Sequence, residues 1–192
     1  MPAPALEDIE RLLQPISADA PAGGSLRHDG INDKIREARR EDDASIPQGV
    51  WERPLKVAEW GSVITLCTEV LERRSKDLQV AAWVAEAWTI VFGVPGAMRG
   101  LELVSGLLAR YWEGLYPALD DGDDEPRVRV LDWLDGALAR RLRSAKLGDE
   151  RTEIAFGDWE RARVSGDPEE GPTREGLLAR MSMVGAPRWA AF

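Results

Sequence analysis

Apolar residues recur along most of this chain at the three-and-four spacing of an α-helix. Leu6, Ile9, Leu12 and Leu13 form one short helical face, and Pro15 predicts an end by Gln14. The segment from Pro15 to Gly30 is rich in Pro, Gly, Ala and Ser and has no period, which predicts an ordered but irregular loop. Asp29 is then placed to cap a helix through INDKIREARRED, with Ile31, Ile35 and Ala38 as its apolar stripe and Lys34, Arg36, Arg39 and Arg40 mostly outside it. From Glu59 to Arg74 the residues Val63, Leu66, Cys67, Val70 and Leu71 define a further amphipathic helix. The sequence RRSKDLQ reads as a break, with Ser75 as the N-cap of the next helix and Asp77 in its first turn.

That next segment, Leu78 to Phe92, is apolar almost all round, as expected of a central bundle helix. Gly93 stops it, and Pro95 opens another helix through Met98, Leu101, Val104, Leu107, Leu108, Tyr111 and Trp112. A last strong pattern runs from about Val128 to Leu142 and carries Leu131, Trp133, Leu134 and Leu138. No stretch sustains period-two alternation between hairpin turns, so the predicted class is all-α, a multi-helix bundle with short loops. Beyond Leu147 the composition turns acidic and loop-rich, with the cluster Ile154, Phe156 and Trp159 and a weak helical pattern from Arg174 to Met183. The expected division is a helical domain over 1–147 and a partly irregular extension over 148–192 that packs in part on the bundle. No repeat of fixed period argues for a solenoid.

Composition narrows the function classes. The 192 residues include 34 acids and 25 bases, a formal charge of -9 that repels phosphate backbones, so nucleic acid is not an expected partner. The start MPAPALEDIERLL has neither a basic region nor a long apolar core to direct export, and one cysteine, Cys67, forms no internal disulfide; a cytoplasmic location is expected. LQVAAWVAEAWTIVF falls short of the ~20 apolar residues of a membrane span and carries Glu86 mid-segment, so direct membrane insertion is not expected.

No catalytic pattern emerges. The run DDGDDE suggests a calcium loop, but Pro126 stands where the turn needs glycine and Asp132 where it needs glutamate. His28 and Cys67 are too few for a zinc site, and neither GxSxG nor a phosphate loop is present. The acids lie in exposed-looking runs with no apolar pocket to tune them. Neither enzyme activity, metal nor cofactor is therefore expected, a small acid-dependent hydrolase being the alternative of another class. Of the eight tryptophans, Trp83, Trp88, Trp112 and Trp133 fall in apolar helical stretches and are expected in the core. Trp51, Trp60 and Trp159 lie in or beside polar loops, where a ring pins a loop or contacts a partner, and Trp189 stands near the chain end.

The ordered segments LLQPISADAPAGGSLRHD, IREARREDDASIPQGVWE, LCTEVLERRSKDLQVAAWVAEAW and YWEGLYPALDDGDDE resemble the N-terminal ImpA-type domain of TssA-like proteins of the bacterial type VI secretion system. The likeness covers Leu6 to Leu147, with a weaker echo in GDWERAR. It implies a cytoplasmic, non-catalytic scaffold that helps assemble the baseplate and the sheath and tube; an accessory or anchoring variant that stabilises the finished tail is the alternative within the family. Longer members form a ring through a separate C-terminal region that this chain has no room for, so only the adaptor half is expected, with a possible homo-oligomer. Two departures, RHDGIND and the Pro54 of WERPLK, alter the loop and delay the helix after Trp51.

The implied partners are secretion components of the baseplate, sheath, tube or membrane complex. The candidate contact residues are Arg36, Arg39, Arg40, Asp42, Asp43, Trp51, Glu52, Lys76 and Asp77. The arginines are expected to pair locally with Glu37, Glu41, Asp42 and Asp43, each exposed pair contributing less than ~1 kcal/mol. Around RREDDASIPQGVWE the charged rim either fixes loop geometry, with Ile46 and Trp51 held to the bundle, or docks a partner. For Lys76 and Asp77 a helix-start role suffices, and a partner contact is the addition.

Overall fold

In the computed structural model, residues 8–42, 54–119, 121–144 and 155–165 are described. Among them lie seven helices and no strand: α1 (Ile9–Leu12), α2 (Ile31–Arg39), α3 (Trp60–Arg73), α4 (Leu78–Phe92), α5 (Val94–Tyr111), α6 (Glu125–Arg143) and α7 (Phe156–Ser165). The fold is all-α. The chain divides into two compact units, Met1–Gly136 and Ala137–Phe192. The boundary expected at Leu147 lies outside the described residues, as does the helix expected from Arg174 to Met183.

In the first unit the helix that is apolar all round is the central one. α4 packs against α3 and α5, α3 also meets α1 and α2, and α1 also meets α5. Its Ala81, Ala82, Ala85 and Trp88 are fully buried. The α4–α5 approach is closer than ordinary side chains allow: a Cβ at Gly100 would overlap Ala85, and one at Gly96 would overlap the backbone of Trp88. Burial of these apolar faces, at roughly 25 cal/mol per Å² removed from water, is the main favourable term in such a bundle.

Local chemistry sets the helix ends, with some differences from the sequence pattern. α2 begins after Gly30, although the Asp29 carboxylate does accept a bond from the Ile31 amide at 2.9 Å. The N-cap of α4 is Asp77 and not Ser75: its Oδ1 accepts from the amides of Gln79 (2.8 Å) and Val80 (3.2 Å). α6 starts three residues before Val128, because Asp123 accepts from the Glu125 amide at 2.9 Å and Pro126 suits a first turn that needs no amide donor. α3 starts at Trp60, well after Pro54.

Trp83 and Trp88 are buried, as their patterns suggest, but Trp133, expected in the core, is only half-buried and Trp112 caps α5 with 40% of its surface exposed. The stripe on α5 that fills the core is Leu103, Val104 and Leu107, one step round the helix from Trp112.

In the second unit the described part of the expected irregular extension is itself helical. α7 is opened by Asp158, whose carboxylate accepts from the Ala155 amide at 2.9 Å, and Arg143 pairs with Glu160 at 3.2 Å. Phe156, expected to pack, is 42% exposed.

Candidate functional site

The apolar stripe Ile31, Ile35 and Ala38 turns α2 toward the core, so Arg36 and Arg40 project to solvent and Arg39 falls on the edge between. Arg36 pairs with Asp33 at 3.3 Å, and Arg40 pairs with Glu37 at 3.2 Å and Asp42 at 3.8 Å. These are the local, exposed pairs that the charge pattern predicts for Arg40, whereas Arg36 chooses an acid on the preceding turn.

Arg39 does something different. Its side chain is 18% exposed and reaches across to α4, where Nε (3.1 Å) and Nη2 (2.5 Å) both donate to Oε2 of Glu86, itself only 5% exposed. The guanidinium lies over the rings of Trp83 (5.4 Å) and Trp133 (5.0 Å). A glutamate in an otherwise apolar central helix is a sequence signal that a cation must come to meet it. Which arginine answers is decided by the packing of α2.

Asp42 is tied to Lys56. Its amide donates to the Lys56 carbonyl and its Oδ2 accepts from the Lys56 amide, both at 2.9 Å, so the two ends of the intervening segment are tied together. Lys56 Nζ in turn donates to Glu59 at 2.6 Å, which holds that carboxyl below its usual value. The described charged residues on this side are thus Arg36, Glu37, Arg40, Asp42, Lys56 and Glu59. Asp43, Ile46, Trp51 and Glu52 lie outside the described residues.

Lys76 and Asp77 sit elsewhere, in a connector threaded between two loops. Ser75 is bridged to Gly23, Asp77 is bridged to Tyr116, and the Lys76 amide donates to Ala22 at 2.8 Å. Gly23 has φ +74, and any side chain there would strike the Arg74 carbonyl, so the close crossing requires glycine. Lys76 is fully buried. Its Nζ donates to the carbonyls of Leu12 (2.7 Å) and Leu71 (2.6 Å), near the C-terminal ends of α1 and α3 where partial negative charge collects, and lies 5.7 Å from the Tyr111 ring. Desolvation lowers its amine to about 8. Burial raises the Asp77 carboxyl, opposed by the two capping amides. Asp77 forms one wall of an open cleft of about 690 Å³ with Arg27, Asn32, Gln79 and Pro117, while Lys76 is out of a partner's reach.

Arg127 is a structural cation that the charge pattern does not single out. It is 1% exposed, donates to the carbonyls of Pro117 (2.9 Å), Trp112 (2.6 Å) and Leu115, and stacks on Trp112 at 4.8 Å. Its register was the available signal, since Val130 and Leu134 follow at i+3 and i+7 and share its buried face.

Among the described residues no group of three or more His, Cys, Asp or Glu is arranged to hold a metal, and no helix is long and apolar enough to cross a membrane. Cys67 is fully buried, and burial pushes its thiol up, away from the thiolate a nucleophile needs. What the arrangement offers is a helical platform with a charged rim.

Comparison with known proteins adds three findings. The family described as "ImpA, N-terminal, type VI secretion system" matches residues 13–136. The type VI secretion system component TssA1 of Pseudomonas aeruginosa is 35% identical over 137 residues, covering 70% of this chain and 39% of that protein, so the chain spans about two fifths of that relative's length. The solved N-terminal domain, including the conserved ImpA_N region, of the TssA component from Burkholderia cenocepacia superposes with a TM-score of 0.75 at 30% identity, over 96% of this chain and 74% of that one.

Proposed function

Because the chain belongs to the ImpA N-terminal family of the type VI secretion system, we propose that it is a non-catalytic, cytoplasmic interaction module that helps assemble the baseplate and the sheath and tube. The contact surface in this proposal is the charged rim of Arg36, Arg40 and Asp42, together with Asp43, Trp51 and Glu52 from the adjoining sequence, with Asp77 as a secondary contact at the cleft.

The observation that carries this reading is the division of labour among the α2 arginines. Arg39 is committed to Glu86 and bolts α2 onto α4, whereas Arg40 sits in an exposed pair and Arg36, whose guanidinium lies 5.8 Å from the Trp83 ring, pairs with the exposed Asp33. Exposed pairs contribute about 0–1 kcal/mol each, so a partner can replace them at little cost. A fixed helix carrying readily exchanged charges suits recognition of an oppositely patterned protein surface, where charge sets encounter rate and partner choice.

The test is affinity capture from a bacterium carrying this system, with the 192-residue chain as bait, alongside Arg36→Glu/Arg40→Glu, Asp42→Lys and Trp51→Ala variants. Recovery of a baseplate, sheath, tube or membrane-complex component by the parent, lost in the charge-reversed bait of unchanged circular dichroism, is expected. Capture of none of these components, or equal capture by every variant, refutes the proposal.

A further inference from the structure

The first turn of α2, the N-terminal end of α4 and the connector from Tyr116 to Leu119 border the open cleft of about 690 Å³ into which Asp77 is set. Asp77 is 8% exposed, yet only half of its carboxylate is used. Oδ1 accepts both capping amides, those of Gln79 and Val80, and no donor among the described residues reaches Oδ2. Asn32, which also lines the cleft, has a buried side-chain oxygen without a donor as well. Capping alone does not call for the second, charged oxygen, because the neutral carboxamide of asparagine caps a helix about as well as aspartate. A carboxylate so poorly hydrated is stabilised by donors, and a cationic donor stabilises it most. Arg27 borders the same cleft but pairs with no described carboxylate, so it does not fill this place.

We infer that the cleft receives a basic side chain, lysine or arginine, from a partner polypeptide, its cation donating to Asp77 Oδ2; this rests on the reading of the chain as an interaction module and gives the chemistry of its contact at Asp77. The volume lies in the roughly 300–1,000 Å³ range of formed ligand sites and exceeds what one side chain fills, which leaves room for the residues on either side of it. Leu26, Pro117 and Leu119 line the cleft with apolar surface, and the long stem of a lysine or arginine lies along such surface while its head reaches a charge. An acidic side chain would instead set two carboxylates together. The formal charge of -9 draws basic surfaces toward the chain at longer range.

The experiment follows the backbone amide resonances of the 192-residue chain during titration with four probes: arginine and lysine blocked as acetyl amides, glutamate blocked in the same way, and spermidine as a free polyamine. Saturable shifts at Gln79, Ala118 and Leu119 are expected with blocked arginine or lysine and none with blocked glutamate. Asp77→Asn, which keeps a capping side chain and should keep the circular dichroism of the parent, is expected to lower the affinity about tenfold or more. Ala118→Arg, at an exposed position on the cleft, should weaken it too by supplying a rival cation. No saturable shift up to about 20 mM, equal affinity in Asp77→Asn, or tighter binding of spermidine than of either blocked residue overturns the inference. Arg36→Glu/Arg40→Glu should leave the titration unchanged, so a failure at the cleft and a failure of capture by the rim are told apart.

Discussion

Replacing Arg39 by methionine removes the guanidinium but keeps much of its length, and leaves Glu86 in the interior. Glu86 is 5% exposed, so water cannot take over the role of the lost cation. Glu86 then loses both charge-assisted hydrogen bonds that Arg39 donates, and removing one partner of a buried pair costs about 3–5 kcal/mol. Loss of contact with two indole rings adds roughly 0.5–1 kcal/mol each, partly recovered by the methionine thioether.

Glu86→Leu alone should cost a similar amount by stranding Arg39. The double variant Arg39→Met/Glu86→Leu should return to within about 1–2 kcal/mol of the parent, because neither charge remains to be desolvated. Urea denaturation followed by circular dichroism gives the three free energies, and tryptophan emission reports on the pair locally through Trp83 and Trp133. A drop in melting temperature of roughly 8–15 °C for each single variant is the thermal counterpart. The reasoning fails if Arg39→Met costs less than about 1 kcal/mol, or if the double variant is as unstable as the sum of the singles.

Two further predictions follow from the same interior. Lys76 titrates at about 8 when folded and near 10.5 when unfolded, so between those values the unfolded chain binds more protons and stability rises with pH. The gain is at most about 3 kcal/mol, and urea midpoints at pH 7.5, 8.5 and 9.5 should climb in the parent but stay flatter in Lys76→Met; equal slopes contradict the buried-amine assignment. Gly100→Ala should destabilise by about 1–3 kcal/mol because its methyl overlaps Ala85, whereas Gly61→Ala, with open space around it, should gain up to about 1 kcal/mol from helix propensity; a neutral Gly100→Ala would mean that α4 and α5 are not as closely apposed as described.

The sequence alone determined the class, the number of strong helices and the identity of the central one. Those features are local: the stripe Ile31, Ile35, Ala38 or the unbroken run from Leu78 to Phe92 states its own period, and Gly93 and Pro95 state where the chain must turn. The resemblance to ImpA-type domains was equally legible, because it rests on ordered segments and not on their packing. The charge cluster at Arg39 to Glu52 was visible as a cluster, yet its members could not be told apart.

Only the tertiary structure decided that Arg39 serves Glu86, that Lys76 is sealed against two helix C-termini, that Arg127 braces the loop beneath Trp112, and that Trp112 itself reaches solvent. The physical reason is that a long cationic side chain has the same local propensity on a buried edge as on an exposed one. Its surroundings, and hence its free energy, depend on which element arrives from elsewhere in the chain: Glu86 is 47 residues from Arg39, and the Leu12 carbonyl is 64 from Lys76.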